Sequence, residues 1–273
     1  AEFLDNSSDR QLAGAISARS VDAEAQALDE TIHEKLLDLL SRYMALGGMP
    51  AVLNCYFSTQ DIEECQNIQQ TLVANYRADF NKYASHAALE HIKRVFDSVP
   101  RLLGEKFKYS KVSDEAKARE LSAALLLLED AGVVSRCIHS DGHGVPLSSE
   151  SDSKHFKVFF VDIGLAQRIL GLRLADQFIS RAELVNKGAL AEQFVAQELR
   201  ALTKVNDSPR LFYWRREAKS AKAELDFLYE RGSAVLPIEV KSGATGKLKS
   251  MHLFMKEKKL KRGFKISKDG FSL

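Results

Sequence analysis

Apolar residues recur at helical spacing early in the chain: Ile32, Leu36, Leu39, Leu40, Tyr43 and Met44 fall on one face until Gly47-Gly48 ends the run. Thr31 followed three residues later by Glu34 is a capping-box signature, so the spacing predicts a helix that opens at Thr31. Amphipathic patterns over 62–80 and 87–103 predict further helices, with Pro50 and Pro100 near element ends. Ser113, with Asp114 and Glu115 in a first turn, predicts a helix that carries Leu121, Leu125 and Leu128 on one face and stops at Gly132. The period then changes to that of a strand over 133–138 and again over 156–161, on either side of Asp141-Gly142 and a serine-rich loop at 148–153. Helices followed by a hairpin with a long polar tip describe a winged helix. Its last helix offers only Lys117 and Arg119 as cations, which suits packing between domains better than reading DNA.

Leu184, Leu190, Phe194, Val195 and Leu199 predict a long helix ending near Leu202, and the small residues Gly188, Ala189 and Ala191 allow it to pack closely on a sheet. Strand-like runs follow at 211–215, 223–229 and 234–241, then a helix after Gly246 carrying Leu248, Met251 and Met255, then a last strand at 263–267. The expected fold class is mixed α/β in three parts: a helical region at 1–86, a winged-helix-like domain at 87–180 and an α-β-β-β-α-β domain at 181–273.

The strand pair joined by Gly232-Ser233 has a turn of the type that needs glycine first. Arg231 then pairs with Ala234, which sets Asp226 opposite Glu239 and Glu224 opposite Lys241. Alternation places Glu224, Asp226, Glu239 and Lys241 on one face and Leu225, Phe227, Ile238 and Val240 on the other. Two facing carboxylates repel and ask for a cation. Mg²⁺ or Mn²⁺ held by Asp226 and Glu239, with water completing its shell, satisfies that demand and suits phosphoryl chemistry. Lys241 can position the attacking water, and Glu192 on the preceding helix is the natural extra carboxylate. A structural ion-pair cluster on a solvated sheet face uses the same residues, and the pattern alone leaves both readings open.

Composition adds direction to this picture. The 273 residues, 45% hydrophobic and 28% charged, suit about two globular domains and exclude disorder and small disulfide scaffolds. The net charge of +2 hides an asymmetry. From Lys247 onward nine Lys and Arg stand against Glu257 and Asp269, an excess of +7 that leaves −5 on the rest. Such a basic end suits a polyanion, although a solvated lysine face has the same composition. Arg215, Arg216, Lys219 and Lys222 precede the acidic strand; Arg215, Arg216, Lys247 and Lys249 are the candidate contacts to a nucleic-acid backbone, with DNA the expected partner. Cys137, His139 and His143 lack a fourth zinc ligand and read as loop residues, and Trp214 reads as core. Three widely spaced cysteines imply a reducing compartment, with the cytoplasm the expected location, and no apolar run approaches the roughly 20 residues of a membrane span. The start, Ala1-Glu2-Phe3, lacks a basic leader and reads as a cut end.

Glu192, Leu225-Asp226 and Ile238-Glu239-Val240-Lys241-Ser242-Gly243, spread over the α-β-β-β-α-β order, resemble the PD-(D/E)XK restriction-endonuclease-like core. Asp226 matches its metal-binding aspartate, Glu239 its second acid, Lys241 its lysine and Glu192 its helix acid, while Leu225 stands where the motif has proline. A longer resemblance takes in the blocks at 43–50, 76–83, 161–165 and 237–243, which are similar to a prokaryotic family of AAA-type P-loop ATPases with a nuclease-like C-terminal domain of unknown function. No G-x-x-x-x-G-K-[ST] is present, so this chain is expected to hold no nucleotide and to be the C-terminal part of such a protein, with its own ATPase domain as a partner. The resemblance implies Mg²⁺-dependent phosphodiester hydrolysis on DNA, with a non-catalytic regulatory or interaction module of the ATPase as the alternative.

Overall fold

The computed structural model describes residues 2–7, 9–17, 28–82, 86–179, 187–203, 210–218, 221–243 and 248–269. Among them the helices are α1 (Glu2–Asp5), α2 (Arg10–Ser17), α3 (Glu30–Leu46), α4 (Pro50–Thr59), α5 (Ile62–Asp79), α6 (His86–Ser98), α7 (Ala118–Asp130), α8 (Ile163–Ile169), α9 (Leu174–Ile179), α10 (Lys187–Ala201) and α11 (Lys249–Glu257). The strands are β1 (Val134–Ser140), β2 (Ser151–Phe160), β3 (Leu211–Ala218), β4 (Ala221–Arg231), β5 (Ala234–Val240) and β6 (Phe264–Ile266). The protein is thus mixed α/β. Its chain divides into two units, one of Ala1–Tyr76, Asp162–Glu183 and Lys268–Leu273, the other of Arg77–Val161 and Leu184–Ser267. Leu184, Lys219, Gly246 and Lys247 lie outside the described residues. No helix among the described residues is long and apolar enough to cross a membrane.

Two helix starts differ from the sequence expectation, and capping chemistry explains both. Helix α3 is capped by Asp29, whose carboxylate accepts from the Thr31 amide at 2.9 Å, so Thr31 lies inside the first turn. Ser113 instead folds a turn, its hydroxyl accepting from the amides of Glu115 and Ala116. Helix α7 begins five residues later, where the Glu120 side chain reaches back to the Lys117 amide at 3.2 Å.

In the first unit, Ala45, Leu46, Val52, Cys55, Tyr56, Cys65 and Leu174 form a buried cluster. The last carbonyls of α3 have no helical partner, and two buried amides supply one. Gln69 donates to Ala45 and Leu46 at 3.1 and 2.9 Å, and Gln167 donates to Met44 at 2.6 Å. Asp162 caps α8 by accepting from the Leu165 amide at 2.9 Å, and the same carboxylate accepts from the Gly48 amide at 2.6 Å. Burial raises its pKa against those hydrogen bonds. Gly47 is at φ +80°, where a side chain would overlap that carboxylate, and a methyl on Gly164 would overlap the Leu46 carbonyl. Two of the sequence blocks, 43–50 and 161–165, therefore meet backbone to backbone.

In the second unit the sheet order is β2-β1-β3-β4-β5-β6, with β1–β3 and β5–β6 parallel and the other pairs antiparallel. The hairpin that resembled a wing is the outer edge of the same sheet that carries the acidic strands. Helix α10 lies against β2, β3 and β5, and α11 against β4 and β5. Trp214 is core as expected, its ring 5.0 Å from that of Phe254, within a cluster that includes Phe212, Leu225, Leu228 and Met251. Strand β2 is an edge strand. Its Phe160 amide donates to the Gln193 side chain at 2.8 Å and its carbonyl accepts from the same side chain at 2.9 Å, while the Phe156 carbonyl accepts from the Phe107 amide at 2.9 Å.

The contact at Gly164 is with backbone, which cannot step aside, so Gly164→Ala is expected to lower stability by roughly 1–3 kcal/mol. Gly14 sits in α2 with open space around it, and Gly14→Ala is expected to hold or raise stability. Denaturant midpoints of the two variants check the contrast.

Candidate active site

The Gly232-Ser233 turn sets the site's register as its residues predict. Gly232 is at φ +61°, and pairing runs from Arg231↔Ala234 through Phe227↔Ile238. Past that pair the ladder changes character: the Val240 amide donates to Asp226 Oδ2 at 2.8 Å, a side chain in the role of a backbone acceptor. The facing of Asp226 with Glu239, and of Glu224 with Lys241, falls just beyond the last backbone pair.

The predicted alternation breaks at a bulge. Phe212 pairs with Leu228 but Trp214 with Leu225, so Asp226 and Phe227 together oppose Tyr213. Both turn toward one face: Asp226 approaches Lys157, and the Phe227 ring lies 5.5 Å from that of Phe159. Leu225 packs on the opposite face in the Trp214 cluster. Phe227 therefore does not share a face with Leu225, because the extra residue in β4 reverses the alternation.

At the centre is a residue that the sequence reading did not single out. Lys157 on β2 is 1% exposed, and its Nζ lies 2.7 Å from Glu224, 3.0 Å from Glu192 and 3.8 Å from Asp226. The Tyr213 ring lies 5.6 Å from the same ammonium. The signal was present in sequence as a lone cation within the apolar run Phe156-Lys157-Val158-Phe159-Phe160. Glu239 is buried and pairs through Oε1 with the Lys241 ammonium, while its Oε2 is buried with no hydrogen-bond partner among the described residues. The Tyr213 hydroxyl is in the same condition.

Burial disfavours the charged form of Glu192, Asp226 and Glu239. It pushes Glu192 up to about 7 against the pull of Lys157, with Asp226 adding to the rise. It also raises Asp226 despite Lys157, and Glu239 despite the Lys241 hydrogen bond. Lys157 feels the same desolvation, yet Glu192, Glu224 and Asp226 outweigh it and raise its pKa. Four carboxylates (Glu192, Glu224, Asp226, Glu239) against two ammoniums (Lys157, Lys241) leave two negative charges unmet when all are ionised. Among the described residues no three His, Cys, Asp or Glu side chains converge as a metal cage. Two hard oxygen donors, one of them buried and unpartnered, do fit an ion that keeps much of its water.

The expected nucleic-acid contacts separate. Arg215 pairs across the sheet with Glu224, beside the cluster, and lines a cleft of about 290 Å³ with His139, Asp141, Glu150, Asp152 and His155. Arg216 pairs with Ala223 and bonds Glu257 of α11, on the other face. Lys249 is exposed at the start of α11. Cys137 is buried on β1, and burial raises its thiol.

Residues 37–176 match the family described as Domain of unknown function (DUF8612), and residues 187–270 are similar to Domain of unknown function (DUF4143). No curated protein and no solved structure matches the chain. Lys157 falls in the first match, and Glu192, Glu224, Asp226, Glu239 and Lys241 fall in the second, so one cluster draws on both.

The folded chain keeps the Glu192 proton up to about pH 7, whereas the unfolded chain releases it near 4.5. Its contribution to stability is therefore full below the lower value and lost as pH rises through the upper one. Denaturation midpoints are expected to fall from about pH 5 to about pH 8, and Glu192→Gln to flatten that decline.

Proposed function

We propose that this chain, which belongs to the DUF8612 family through a match to just over half of its 273 residues, carries a metal-dependent phosphodiesterase site for nucleic acid. The observation that carries the reading is the Glu239 carboxylate, buried with one oxygen unpartnered, on the strand whose Val240 amide fixes Asp226. Asp226 and Glu239 would hold Mg²⁺ or Mn²⁺. When bound, that ion lowers the pKa of water and offsets charge on the phosphate. Lys241, held by Glu239, orients a water through its ammonium protons, and Glu192, carried near neutrality, can hold or release one proton beside Asp226. Arg215 next to Glu224 is the cation best placed to meet a DNA phosphate, with Lys249 an outlying contact. The proposed architecture is the PD-(D/E)XK-like order of α10, β3, β4, β5, α11 and β6. The α7–β1–β2 segment, of winged-helix type in its element order, joins that sheet through β1 and brings Lys157 to the site. The second matched domain is known to occur with AAA ATPases, which supports a role beside an ATPase domain. Free buried Cys55, Cys65 and Cys137 support a reducing, cytoplasmic setting.

A second reading is a non-catalytic regulatory module of the ATPase. It is favoured by Lys157, which already meets three of the four carboxylates. The two separate by calorimetry with Mg²⁺ and Mn²⁺ beside cleavage of labelled single- and double-stranded DNA. The nuclease reading expects metal-dependent cleavage that drops by about 10²-fold or more in Asp226→Asn and Lys241→Ala while the thermal transition persists. Absence of metal binding at millimolar levels would select the regulatory reading.

A further inference from the structure

Resting on the metal reading above, we propose that the Lys157 ammonium fills the place of a second divalent ion, so that the site takes one ion and not two. Two-metal phosphodiesterase sites rely on carboxylates shared between ions about 3.5–4 Å apart. The acids that would complete a second shell here are already committed. Glu224 and Glu192 stand at 2.7 and 3.0 Å from Nζ, and Asp226 Oδ1 faces the same ammonium at 3.8 Å. Asp226 Oδ2 is engaged by the Val240 amide, which fixes how that carboxylate is turned. Glu239 Oε2 is buried and unpartnered among the described residues, and Asp226, at 3.8 Å the most distant of the three acids from the ammonium, is the one left to share an aquated ion with it.

Removing Lys157 frees the oxygens of Glu192 and Glu224 from their ammonium partner. A lysine suits this place because its donors are tethered: β2 supplies the anchor, with the buried Cys137 as its cross-strand partner and the Tyr213 ring 5.6 Å from the ammonium. Unlike an ion, it cannot leave. Lys157 is thus a positioning residue, holding Glu192 and Asp226 for chemistry that occurs elsewhere in the cluster.

The test is the number of Mn²⁺ ions bound by the full chain, measured by equilibrium dialysis with electron paramagnetic resonance to detect coupled pairs. The wild type is expected to bind one ion with an uncoupled signal. Lys157→Met is expected to bind two with a coupled signal, and Lys157→Arg to return to one. Two ions in the wild type, or one ion in a folded Lys157→Met, would overturn the proposal and leave the metal site standing. No ion in the wild type would instead overturn the metal site itself. Should Lys157→Met fail to fold, the wild-type count and Lys157→Arg still decide, since a second ion in either is incompatible with an ammonium in that place.

Discussion

Taking an ammonium out of water is costly, and Lys157 is buried only because oxygens from two other elements converge on it. The Born cost of such a transfer is offset by near and well-placed carboxylates, and removing one partner of a buried pair typically costs about 3–5 kcal/mol. That requirement ties β2 to α10 through Glu192 and to β4 through Glu224 and Asp226, which are 35 and more residues distant in sequence. Glu192 from α10 and Asp226 from the bulge in β4 thus meet at one cation.

Legibility in sequence followed the range of the interaction. The hairpin register was readable because Gly232-Ser233 fixes it within two residues, and the acids of β4 and β5 were found on that basis. Helix starts were readable to within a few residues, since competing caps such as Asp29 and Glu120 sit close by. The bulge at Asp226-Phe227 was not readable. It sets Asp226 and Phe227 together opposite Tyr213, and no turn residue marks it. The parallel contact of β1 with β3, which merges the expected wing with the acidic strands, joins residues more than 70 apart and leaves no local trace. Arg215 and Arg216 read as one basic pair, yet alternation alone sends them to opposite faces.

The blocks at 43–50 and 161–165 show a different kind of information. Their glycines and their aspartate carry part of the family resemblance, and in the first unit they solve a packing problem. Gly47 and Gly164 let two backbones approach, and Asp162 answers the open amides of α8 and of Gly48 with one carboxylate. Sequence signatures can record steric necessity as firmly as chemistry.

The treatment of β2 bears on how this sheet meets other molecules. An edge strand with a free row of amides and carbonyls invites another strand, whether a peptide ligand or a second copy of itself. Here Gln193 occupies both backbone groups of Phe160, and Phe107 occupies the carbonyl of Phe156. The opposite edge, β6, is only three residues long. These bonds close the β2 margin at Phe160 and at the Phe156 carbonyl, and the shortness of β6 leaves little length for pairing at the other, so at these positions recognition falls to side chains instead of main-chain pairing.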